Sequence, residues 1–204
     1  MQRFFLIIGA LLTLVGCEIM SEEPLLDVAD ARQVTAGFEQ TVRSIDTDGS
    51  FLVATAQPDG WSVLLTAFGT QDDGTLVQEP PDYVMRFYPL PGEAGIFLTE
   101  AFSIDPQTDQ PVSEGVFHGL VTCDSGGNLA WLTMDLPAVS QVTQGEGYRV
   151  NSEWGLLTVL NREALLQVVG AVISGNHLIP VTMQELDLNP DDAVACAELF
   201  VDIP

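Results

Sequence analysis

The sequence predicts a domain of the α+β or mainly-β class: an antiparallel sheet of several hairpins, followed by two helices late in the chain. Three observations predict it. Apolar and polar residues alternate with period two through most of residues 34–160, which is the spacing of half-buried strands. Turn chemistry recurs between the alternating runs. Near Asn161 the apolar spacing changes to that of a helix.

The elements follow in order. Val34, Ala36, Phe38 and Val42 alternate with Thr35, Glu39, Thr41 and Arg43, and Asp46-Thr47-Asp48-Gly49 then turns the chain. Strands over 51–57 and 61–68 flank Pro58-Asp59-Gly60, where proline presets φ and glycine accepts a positive φ. A second turn, Gln71-Asp72-Asp73-Gly74, precedes strands over 83–88 and 96–103, which are separated by Pro89-Leu90-Pro91-Gly92. The clearest hairpin joins 116–123 to 129–136 around Asp124-Ser125-Gly126-Gly127-Asn128, and a further strand is expected over 154–160. Ala164, Leu165, Val168, Val169, Val172 and Ile173 then share one helix face, with Asn161 as cap and Gly175 closing the end in a left-handed conformation. A second helix is expected over 189–200. Asn189 would cap it, Pro190 suits its first turn, and Asp191 and Asp192 face the positive end of its dipole.

The first residues have the layout of a secretory signal peptide. Met1 and Arg3 make a positive start, and an apolar run follows from Phe4 to Val15. That run is shorter than the roughly 20 residues needed to span a bilayer, and it fits the apolar stretch of a signal. It ends in Leu14-Val15-Gly16-Cys17, which resembles the lipobox of bacterial lipoproteins. The resemblance covers the first 17 residues only. It implies that the Cys17 thiol receives a diacylglycerol, that signal peptidase II cuts before it, and that lipid on Cys17 holds the protein to a membrane. Residue 18 is Glu, not the Asp common in lipoproteins kept on the inner membrane, which favours the periplasmic face of the outer membrane. The chain then divides into a signal peptide (1–16), an acidic tether (17–27) and a single β-rich domain (28–204).

Charge excludes one class of partner. The 204 residues carry 29 Asp and Glu against 6 Lys and Arg, a net charge of −23. There is no lysine, and the arginines beyond the signal are Arg32, Arg43, Arg86, Arg149 and Arg162. Nucleic-acid affinity comes largely from cations neutralising phosphates, so no nucleic-acid partner is expected. The acidic excess serves solubility, or gathers a cationic partner or divalent ions in its field.

Motifs with chemical associations are explained by turns and strands. Asp124-Ser125-Gly126-Gly127 is similar to the nucleophile loop of trypsin-like serine proteases, but that family needs a histidine far upstream, and His118 lies seven residues away on the strand entering the same turn. His177 follows the serine, which is the wrong order for that family. Asp46-Thr47-Asp48-Gly49 echoes a calcium loop, yet its closing position is Thr55 and not a bidentate glutamate. Two unpaired histidines do not make a zinc site. His118 alternates with Val116, Leu120 and Thr122, facing Ala130, Leu132 and Met134 across the hairpin, as a partly buried histidine would. Trp61, Trp131 and Trp154 sit in strand patterns, as core or cross-strand partners. No catalytic residue, cofactor or metal site is therefore expected.

The resemblance implies a place past the inner membrane, where the medium is oxidising, and lipid on Cys17. Cys123 and Cys196 remain as an even pair and are expected to form a disulfide. The function that follows is a non-catalytic, membrane-anchored envelope lipoprotein, with an envelope protein as partner or an assembly-support role. Two rivals are a lipid-anchored hydrolase using His118 or His177 with nearby carboxylates, and a small-ligand or carbohydrate-binding module.

Overall fold

The computed structural model describes residues 19–43, 51–70, 75–93, 95–105, 110–123, 129–134, 147–151, 156–175, 178–180 and 199–201. These residues are mainly β. The strands are β1 (Ile19–Ser21), β2 (Glu39–Arg43), β3 (Phe51–Ala56), β4 (Ser62–Thr70), β5 (Leu76–Pro89), β6 (Ile96–Asp105), β7 (Gln110–Cys123), β8 (Leu129–Met134), β9 (Tyr148–Asn151), β10 (Leu156–Val159) and β11 (Leu178–Pro180). Among the described residues there is one α-helix, α1 (Arg162–Ser174), and a single 3-10 turn at Val28–Asp30.

All the strands join one sheet, ordered β2-β3-β4-β5-β6-β7-β1-β10-β9, with β8 on β7 and β11 on β8. From β2 to β8 each strand pairs antiparallel with the next in sequence, as short turns require. The sheet is nevertheless mixed, not purely antiparallel, because β1 runs parallel to β10. The intervening chain carries β2 to β9, which is ample length for a parallel crossover. Pro58-Asp59-Gly60 is the β3–β4 turn, with Gly60 at φ 73°. The Asp59 carboxylate accepts from the Trp61 N–H at 2.8 Å, the Ser62 N–H at 3.0 Å and the Ser62 hydroxyl at 2.6 Å. Burial raises the pKa of Asp59, but these bonds and Arg86 outweigh it and hold the carboxyl below its ordinary range.

Strand β5 begins seven residues before Tyr83, where the sequence pattern begins. Pro80 and Pro81 interrupt that pattern. They fall where the β4–β5 register shifts, between the pairs Leu65↔Tyr83 and Ala67↔Glu79. A bulge is where prolines, which lack an N–H for the ladder, are tolerated. A second shift lies between the pairs Phe102↔Val116 and Ile104↔Pro111, with Gly115 at φ 93° inside it.

Both faces of the sheet are buried. One carries Val63, Leu65, Met85, Phe87, Ala101 and Val121, covered by Val34, Phe38, Leu199 and Phe200. Phe200 stacks on Phe97 with ring centroids 4.4 Å apart and meets Phe87 edge-on at 5.3 Å. The other face carries Ile19, Tyr88, Leu98, Leu120 and Leu157, covered by α1. That helix buries Ala164, Leu165, Val168, Val169 and Val172, the stripe its sequence spacing implies. Full burial of such a leucine or valine contributes roughly 1.5–3 kcal/mol. Asn161 caps it by accepting from the Ala164 N–H at 2.9 Å. Gly175 stays right-handed, at φ −80°, contrary to the sequence expectation. Its N–H donates to the Ala171 carbonyl, so the last helical turn continues into the cap without reversing.

Two expectations are corrected, and a third lies mostly outside the described residues. Residues 34–38 are not strand: Val34 makes an isolated bridge to Phe200, and regular pairing starts at Glu39. The second helix, expected over 189–200, falls mostly on residues 189–198, outside the described residues. Of its last two residues, Leu199 is helical and Phe200 forms that bridge, with the Thr35 N–H donating to the Leu199 carbonyl. The stretch read as part of an acidic tether is built into the fold. Ile19–Ser21 is a strand between β7 and β10, and Leu26 is buried on α1's side of the sheet. Its acidic composition conceals this, because Glu22 and Glu23 point to water while Ile19 and Ser21 do not.

Candidate functional site

Four neighbouring strands place one row of polar residues across the sheet, and β1 ends the row with Ile19. The register runs Ser62↔Arg86 on β4 and β5, Arg86↔Glu100 on β5 and β6, Glu100↔His118 on β6 and β7, and His118↔Ile19 on β7 and β1. Arg86, Glu100 and His118 each occupy a position whose neighbours two residues away are apolar. Alternation therefore turns all three toward the face that packs on α1. Glu100 and His118 are fully buried, with no accessible surface.

The N-terminal segment supplies their partners. The Ser21 Oγ lies 2.8 Å from His118 Nε2 and donates its proton to the Glu23 carbonyl at 2.7 Å. A hydroxyl has one proton, so Nε2 must donate to Oγ and Nδ1 is the bare nitrogen. Nδ1 is buried without a hydrogen-bond partner. Glu100 Oε1 accepts from the Leu25 N–H at 2.8 Å and the Leu26 N–H at 3.3 Å, and Oε2 accepts from the Tyr88 hydroxyl at 3.2 Å.

Burial dominates the electrostatics. It lowers the His118 pKa to about 4. It raises that of Glu100, against the pull of the Leu25 and Leu26 N–H groups, the Tyr88 hydroxyl and Arg86. Burial also raises the Tyr88 phenol, and the Glu100 carboxylate adds to that rise. The Arg86 guanidinium lies 5.2 Å from the Phe102 ring centroid, in cation–π range.

Chemically this is a clamp. Nucleophile activation needs the histidine to accept the serine proton, with a carboxylate orienting its other nitrogen. Here the serine proton is committed to a carbonyl, the histidine is the donor, and Glu100 is spent on backbone N–H groups. What the arrangement does is satisfy the backbone of residues 21–26 and fasten that segment across the sheet. Gly115 makes room for it: a Cβ there would approach the Ser21 carbonyl oxygen to 2.9 Å.

The structure places the residues singled out by sequence as follows. His118 is on β7, but its neighbour across the strand edge is β1 and not β8. The β7–β8 hairpin pairs Leu120↔Leu132 and Thr122↔Ala130 as expected, then β1 takes over the edge from His118 to Val116. Trp61 is half-buried and packs against the core beneath α1. Cys123 ends β7. Cys17, Asp46-Thr47-Asp48-Gly49, Asp124-Ser125-Gly126-Gly127, Trp154, His177 and Cys196 lie outside the described residues, as does the side chain of Trp131. Among the described residues no group of His, Cys, Asp and Glu could hold a metal ion. The sequence reading missed Ser21, Arg86, Tyr88 and Glu100. Its available signal was an ionisable residue at apolar parity on three successive strands: Arg86 between Val84 and Tyr88, Glu100 between Leu98 and Phe102, His118 between Val116 and Leu120. No family model, curated protein or solved structure matches the chain.

Proposed function

We propose that this chain is an envelope lipoprotein: a β-rich domain held to a membrane by lipid on Cys17, acting non-catalytically by binding an envelope protein or supporting assembly. One observation carries the reading, the Leu14-Val15-Gly16-Cys17 lipobox at the end of a short apolar run. The proposed location is the periplasmic face of the outer membrane, on the strength of Glu18. The wiring of Ser21 and His118 supports a binding role over the hydrolase reading, since the one described histidine is a buried proton donor to the serine beside it. The packing of Trp61 against the core supports a structural use of that ring over a sugar-binding one.

Cys17→Ser tests the anchor. The wild type grown with a labelled fatty acid should carry label and fractionate with membranes, and the variant should lose the label and become largely soluble. An unlabelled wild type with a variant that stays on membranes would reject the reading. In cells, crosslinking the wild type against this variant should recover a specific envelope protein that the released variant does not recover. Hydrolysis of an envelope substrate that is lost in His118→Ala or His177→Ala would favour the enzyme instead.

A further inference from the structure

The first described strand changes what a lipid on Cys17 would do. Sequence composition gives residues 17–27 the character of a free leash, which at roughly 3.5 Å per residue would let the domain stand more than about 30 Å from its anchor. The fold removes almost all of that length. Ile19 is 1% exposed and Ser21 is 2% exposed. Both pair with β7, and Ile19 also pairs with Leu157 of β10. The segment after them is fastened by His118 and Glu100 through the bonds described above. Only Glu18 separates Cys17 from Ile19, so the two Cα atoms are at most about 7 Å apart. On β7 the edge beyond His118 is occupied by β8, where Leu132 pairs with Leu120.

Resting on the lipoprotein reading, we propose that the domain has no leash and rides in contact with the bilayer, with its β1–β10–β9 side toward the lipid. A phospholipid surface is the partner of that side. The charge distribution agrees in one respect. Arg149 of β9 is exposed and lies in the row Arg149↔Thr158↔Met20, two strand spacings or about 10 Å from β1. In so acidic a chain a cation at that place suits lipid phosphates. Its present partner, Glu22, is 3.9 Å away with both side chains largely exposed, a contact weak enough to exchange. A distant reference point is Val77 of β5, an exposed residue nine positions from Arg86 in the polar row, about 25–30 Å along the strand.

The test uses the acylated full-length mature protein in phosphatidylcholine vesicles that contain a headgroup-nitroxide lipid. A fluorescent amino acid is incorporated either at Glu22, beside β1, or at Val77. The emission at Glu22 should be quenched several-fold more than that at Val77. Inserting a Gly-Ser segment of about twelve residues between Glu18 and Ile19 should bring the two to the same low level, with the protein still vesicle-bound. Equal quenching at the two sites without the insertion, or no effect of the insertion, would overturn the contact. The mass of the N-terminal peptide separates the two ideas. Acyl chains on Cys17 with equal quenching reject only the leashless geometry, whereas an unacylated Cys17 rejects the lipoprotein reading and this proposal with it.

Discussion

At the scale of single residues, His118 holds the most consequential position. Its ring is buried and neutral, one nitrogen donates to Ser21, and the other has no partner, a loss that costs about 1–3 kcal/mol. The balance makes it an acid-sensitive point. The folded pKa near 4 lies below the ordinary histidine value of 6.5, so the unfolded chain binds more protons between them. The contribution of His118 is therefore complete above pH 6.5 and lost as pH falls toward 4, amounting to about 2 kcal/mol between pH 7 and pH 5. Glu100 acts in the opposite sense. Its folded pKa is raised by burial, so its contribution is present below the ordinary carboxyl value of 4.5 and declines as pH rises through the raised one. Denaturant unfolding of the wild type and His118→Gln at the two pH values should show the wild type losing more stability in acid by about that amount. Equal losses would mean that the imidazole is not the acid-sensitive group.

At the scale of elements, the two ends of the described chain are docked by different means. Strand β1 has three residues and depends on pairing to both sides, on the Ser21–His118 and Glu100 bonds, and on the space that Gly115 leaves. The C-terminal residues dock by rings, with Phe200 between Phe87 and Phe97. That docking bears on the disulfide proposed between Cys123 and Cys196. Phe97 pairs with Val121, Cys123 is two positions farther along the same strand, and Cys196 precedes Phe200 by four residues. Cys196 itself lies outside the described residues. A bridge closing that loop would stabilise by roughly 4 kcal/mol in the chain-entropy account. Thiol titration of the denatured, unreduced mature protein should find none free, and reduction should lower the melting temperature. Two titratable thiols would reject the bridge.

At the scale of the molecule, burial on both faces of one sheet explains how a chain of net charge −23 stays folded: the apolar interior is contributed by two clusters, one beneath α1 and one closed by Leu199 and Phe200. The cost is self-repulsion between carboxylates at the surface, which salt screens over about 10 Å at 0.1 M. Among the described residues only two ion pairs form, Arg149–Glu22 and Arg162–Asp30, and both are exposed. Raising monovalent salt from a few millimolar to about 0.15 M should therefore raise the melting temperature, since relief of repulsion outweighs the loss of two weak pairs. A fall in melting temperature with salt would mean that the specific pairs matter more than the net charge.

Sequence by itself determined the meander and helix α1. Alternation places β3, β4, β6 and β8 within a few residues and β7 from Val116 onward, and the turn at Pro58-Asp59-Gly60 and the cap at Asn161 are local chemistry that a linear reading can see. It also determined the charge, from which no nucleic-acid partner is expected. Only the tertiary structure decided the rest, for one physical reason: a short segment acquires its role from strands distant in sequence. Three residues cannot display a period, so Ile19–Ser21 reads as polar leash until β7 and β10 are seen on either side of it. The prolines in β5 argue against a strand until β5 itself is seen to bulge at them, with three of its residues facing one of β4. Glu100 and His118 are each an isolated irregularity in an apolar pattern. They become a clamp only when the register sets them opposite one another and folds residues 21–26 over both.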